Sequence, residues 1–186
     1  GRLTSPSADV QPFLIVAGVC LRSADDTAFT RQFTALKQRY LEAHARAPHK
    51  RIALSDEIKG CALRTEMRKE PRGAGPAHLL LDALLRLLKA FDASVLARVA
   101  PKPPAGAFDG KRVYAQAMHG LARDFHRLLE LQCAQGFIVA DFREPKLNAL
   151  MTELICAAKY LACDELPRLV GAPTFGHSQS HAGLQA

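Results

Sequence analysis

Two short, unbroken apolar runs constrain the fold more than any other feature of this chain. Pro12-Phe-Leu-Ile-Val-Ala-Gly-Val-Cys-Leu21 and Phe137-Ile-Val-Ala140 are rich in β-branched residues and too short for self-standing helices. Both predict strands covered on two faces, the second being the clearer buried strand. A third segment, Ser94-Val-Leu-Ala-Arg-Val-Ala100, alternates as a strand does and is stopped by Pro101-Lys-Pro-Pro104. Arg51–Ser55 reads as a strand or an extended lead-in to a helix near Asp56-Glu57.

The intervening stretches carry a helical period. Phe29, Phe33, Leu36 and Tyr40 are spaced four, three and four apart, which places them on one stripe behind a Ser23 cap and the acids Asp25 and Asp26. Ala77–Phe91 is a leucine-rich helix whose broad apolar surface predicts burial. A long helix is expected from about Lys111 to Gln135, with Val113, Ala117, Leu121, Phe125, Leu128 and Cys133 inward and Gly136 as its stop. Another amphipathic helix runs from Leu147 to Leu161. Alternation of strands and helices makes the class α/β, with a mixed or mostly parallel sheet. Length argues for one domain over residues 1–186.

With 48% apolar and 23% charged residues, the composition is that of a folded globular chain and excludes intrinsic disorder. No run approaches the roughly 18 apolar residues of a membrane-spanning helix, so no membrane partner is expected. No signal peptide opens the chain. Five widely spaced cysteines, an odd number without a CxxC pair, point to a reducing, cytoplasmic setting and read as structural. Cys133 and Cys156 fall on apolar helix faces, where cysteine acts as a small core residue. The 25 Lys and Arg against 18 Asp and Glu, with a pI near 9.4, favour an anionic partner such as nucleic acid.

Asp141 is the sharpest chemical feature. A carboxylate ending a buried strand of an open α/β sheet projects where such sheets bind ligands, and hard cations prefer oxygen donors. The competing reading is a turn cap. Asp56-Glu57 forms a second acidic pair, which taken alone is better explained by capping and the dipole of a helix start, and which gains interest only if the fold brings it beside Asp141. Lys102, ending a strand, is placed to reach a phosphate, although its flanking prolines suit a plain edge-strand stop. Arg64, Arg68, Lys69 and Arg72 form either a nucleic-acid groove or a solvated face. His177 and His181, four apart, offer a zinc pair, but the HExxH pattern is lacking and the surroundings are rich in Gly and Ser. Ser178 and Ser180 lie in no nucleophile elbow, so phosphate contact or helix capping suits them better. Gly73, Gly75 and Gly106 form neither a dinucleotide fingerprint nor a P-loop.

In order, these pieces resemble the domain-of-unknown-function 3800 family, whose members look like ribonuclease H-like proteins. The resemblance runs through Phe13-Leu-Ile-Val-Ala-Gly-Val19, Phe33-Thr-Ala-Leu-Lys37, Tyr114 and Ile138-Val-Ala-Asp141. It is most specific in the tail, Phe175-Gly-His-Ser178 and Ser180-His-Ala-Gly-Leu-Gln185. It implies a ribonuclease H-like mixed sheet flanked by helices. Gly1 then ends an Asp-Glu-Ser-Gly motif and Ala186 precedes a closing Ala-Asp, so a first strand and a last helix, each with an Asp, fall outside the chain. The implied activity is metal-dependent cleavage of nucleic-acid phosphodiesters. On this reading Asp141 would bind Mg²⁺ or Mn²⁺ together with Glu57 or Asp56, Lys102 would steady a phosphate, and Ser178 and Gln185 would orient neighbouring groups. The bound ion polarises the phosphoryl oxygen and activates a water. A module that binds nucleic acid or protein without chemistry is the alternative.

Overall fold

A computed structural model describes residues 12–44, 58–69, 73, 75–102, 108–161 and 165–177. The elements among them, in chain order, are β1 (Phe13–Cys20), α1 (Asp26–His44), α2 (Gly60–Lys69), α3 (Pro76–Ala90), β2 (Ser94–Pro101), α4 (Gly110–Leu131), β3 (Val139–Asp141), α5 (Pro145–Tyr160) and β4 (Thr174–Gly176). The class is mixed α/β, with helices dominant. The chain divides into two compact units, one of residues 1–20 with 95–175 and the other of 21–94 with 176–186.

The first unit holds the strands, and they form two two-stranded sheets, β1–β2 and β3–β4. The Lys102 amide, just past β2, donates to the Pro12 carbonyl, just before β1 (2.8 Å). The end of one strand therefore meets the start of the other, and the pair is antiparallel. In β3–β4, the Thr174 amide donates to the carbonyl of Ile138 (2.9 Å), and Gly136 bridges Leu169 in parallel. Starts meet starts, so this pair is parallel.

Among the described residues the two apolar runs alternate between buried and exposed positions, which corrects the expectation of strands buried on both sides. Leu14 and Val16 of β1 face the core, while Phe13 and Ile15 remain 49% and 61% exposed. In the second run, Phe137 and Val139 are exposed and Ala140 alone is buried. An unbroken apolar run reports affinity for a sheet, but not how many layers cover it.

Helix α4 lies on β1 and α5. Its N-terminus is capped by Asp109, whose carboxylate accepts from the Arg112 amide (3.0 Å). Tyr114, Ala115, Leu121, Ala122 and Leu129 meet Leu147, Met151, Ile155 and Ala158 of α5 in the core. The helix ends at Leu131, earlier than expected, because Cys133 adopts a left-handed backbone (φ 50°) and takes the terminating position assigned to Gly136. Cys133 is consequently exposed, not a core residue, and Cys61 is exposed as well. Cys20 is half-buried, and that burial raises its thiol pKa by desolvating the thiolate.

Gly136 has a different task. Its amide donates to the carbonyl of Arg168 (3.0 Å), and its own carbonyl accepts from Val170 (2.7 Å), so its backbone is pinned on both sides. A Cβ there would sit 2.6 Å from Phe125 Cζ and 3.0 Å from both Leu129 methyl carbons. Gly136→Ala is expected to cost about 1–3 kcal/mol by overpacking, read from denaturant midpoints. A change below ~0.5 kcal/mol would show that the strand can shift.

The second unit is helical. The predicted stripe on α1 is real: Phe29, Phe33 and Tyr40 are buried. Phe29 stacks on Phe33 (centroids 6.4 Å apart) and meets Phe91 edge-on at 5.6 Å. Leu87 of α3 closes this cluster. Tyr40, Ala77 and Leu80 form a second one with Leu63 and Met67 of α2, where the Tyr40 hydroxyl bonds the Glu66 carboxylate. Helix α3 is less buried than its leucines suggest, since Leu79 and Leu85 face solvent.

Candidate functional site

Asp141 is the last residue of β3, and its placement follows from the turn into α5. Pro145 opens that helix, with φ fixed for a first turn and no amide left unsatisfied. The buried Asn148 turns its side-chain oxygen back to accept the Arg143 amide (3.1 Å), tying the β3–α5 connection to the helix. Glu144, preceding α5, pairs with Lys111 of α4. The Asp141 carboxylate thus stands half-buried at the carboxyl end of a parallel strand pair, where sequence reasoning put it.

Arg143 is its neighbour. One guanidinium nitrogen lies 3.5 Å from Asp141 Oδ2, with the two side chains 47% and 33% exposed. Sequence reasoning missed this pair and the Asn148 brace. The available signal was the Asp141-Phe-Arg143 spacing, which brings two side chains to the same side of extended backbone.

In donor type Asp141 suits a hard cation, which takes one or two carboxylates with water and phosphate oxygens. Among the described residues, however, no three His, Cys, Asp or Glu side chains gather as a metal-binding group. Asp141 alone does not make a cage there. Asp56, Glu57, Ser178 and Gln185 lie outside the described residues, as do Arg72 and His181. His177 is exposed just beyond β4. Arg64, Arg68 and Lys69 are exposed on α2, and the last two complement the negative end of that helix.

Lys102 follows directly on the end of β2, where its prolines predict a strand stop, and it is buried there. Only 6% of the residue is exposed, and its buried ammonium has no hydrogen-bond partner among the described residues. The Nζ atom lies 5.5 Å from the centroid of the Phe108 ring, a cation–π contact. Buried His126 is better served, its Nε2 lying 3.2 Å from Glu130 one turn along α4.

Comparison with family models, with curated proteins and with solved structures found no match to this chain. Among the described residues no helix is long and apolar enough to cross a membrane.

Proposed function

We propose that this chain is a ribonuclease H-like, divalent-metal-dependent domain acting on the phosphodiester bonds of nucleic acid, and that Asp141 is a metal-binding carboxylate. The observation that carries the reading is the half-buried Asp141 carboxylate at the carboxyl end of β3, a position from which open α/β sheets address ligands. The resemblance of the tail and of Ile138–Asp141 to the domain-of-unknown-function 3800 family supports it, as does the surplus of seven positive charges. A bound Mg²⁺ or Mn²⁺ supplies Lewis-acid polarisation of the phosphoryl group and a more acidic water. The chain's own part is to hold one anionic oxygen donor in place. Arg143 is the cation paired with that carboxylate, while the Asn148 brace fixes the turn that carries both.

A second reading, binding without chemistry, is favoured by the Arg143 pair, which gives Asp141 a partner from within the chain. One experiment separates the two. End-labelled single- and double-stranded DNA and RNA are incubated with the chain in Mg²⁺, in Mn²⁺ and in chelator. Cleavage that requires the ion supports the enzyme. Binding without cleavage, weakening steeply as salt rises, supports the module. Neither cleavage nor salt-dependent binding would contradict both.

A further inference from the structure

We propose that the end of β2 and the start of α4 form a binding site for a phosphate oxyanion, with Lys102 as its cation. Three observations converge on it. First, the Lys102 ammonium is buried and unpartnered among the described residues, an arrangement that is costly unless a counter-charge is supplied. Second, that ammonium sits over the ring of Phe108, the residue immediately before the Asp109 cap of α4. Third, the first turn of this 22-residue helix carries Lys111 and Arg112 and no acid, although a helix dipole favours negative charge at that end.

The local charge balance has the same sign. Asp109 accepts the Arg112 amide and Glu144 pairs with Lys111, leaving two carboxylates against the three cations Lys102, Lys111 and Arg112. The helix dipole adds further positive potential. An oxyanion there gains a charge-assisted hydrogen bond from Lys102 and the favourable end of a long dipole. Phosphate is the natural class, being compact, multiply charged and rich in acceptors.

The inference deepens the proposed function, because a nuclease-like domain must hold a backbone phosphate, and it rests on that reading for the phosphate's source. Its first readout needs neither metal nor cleavage. Inorganic phosphate is titrated into the ¹⁵N-labelled chain at constant ionic strength. Saturable shifts are expected at the amides of Phe108, Gly110 and Lys111. Lys102→Met, close in length but neutral, should weaken phosphate binding about ten- to a hundredfold, and Lys102→Arg should restore most of it.

A parallel titration with an oligothymidylate distinguishes the sources. The same shifts identify a nucleic-acid backbone, whereas a response to inorganic phosphate alone identifies free phosphate or a small phosphorylated ligand. Amides that do not move, or a Lys102→Met chain that binds phosphate as tightly as the parent, overturn the site. Phosphate binding in a chain that fails to cleave leaves this site standing and removes only the nuclease reading.

Discussion

Phe29→Ala is expected to lose about 3–5 kcal/mol, the largest stability effect of any single substitution considered for this chain. Phe29 has no exposed surface and sits between the parallel ring of Phe33 and the perpendicular ring of Phe91, with Leu87 opposite. Truncation removes the transfer energy of a large side chain and two aromatic contacts. It also leaves a cavity that helices α1 and α3 can close only by approaching each other. The loss is severe because folded domains hold only about 5–15 kcal/mol in total. The effect is read from denaturant midpoints, with Leu85→Ala as the control. Leu85 lies on α3 but is 56% exposed, so its truncation should stay within about 0.5 kcal/mol. A Phe29→Ala loss under ~1 kcal/mol would contradict the α1–α3 packing described.

The second large effect concerns chemistry. Asp141→Asn should reduce metal-dependent cleavage at least about a hundredfold, since even partners that merely orient a metal ligand cost 10–100-fold when removed. Stability should hardly change. The substitution keeps the shape of the side chain and removes a partly exposed ion pair with Arg143, worth less than about 1 kcal/mol after solvent screening. Loss of activity with unchanged melting separates a functional carboxylate from a structural one. Activity that persists would return Asp141 to the role of a turn residue paired with Arg143.

What the sequence makes legible, and what it hides, follows from the range of the interactions involved. The α1 stripe is readable because one helix face meets one surface, so the spacing of Phe29, Phe33 and Tyr40 records its burial directly. The position of Asp141 is readable for a similar local reason, as an acid directly after an apolar run. The covering of that run is not. Phe137 and Val139 have the composition of a buried strand, yet both are exposed, Val139 on a strand of a two-stranded sheet and Phe137 just before it. Chain termination is another blind spot: glycine is the expected left-handed terminator, and Cys133 adopts that conformation three residues earlier. Lys102 shows the limit most sharply. Its proline neighbours predict a plain edge-strand stop and say nothing of its burial beside Phe108, six residues further along the chain.

The divalent ion proposed at Asp141 is tested by paramagnetic broadening, which requires no turnover. Substoichiometric Mn²⁺ added to the ¹⁵N-labelled chain should selectively erase the amide signals of Ala140, Asp141 and Phe142. Excess Mg²⁺ should restore them, and Asp141→Asn should abolish the effect. Signals that stay sharp in Mn²⁺, or broadening that survives in Asp141→Asn, would contradict the assignment and with it the metal-dependent reading.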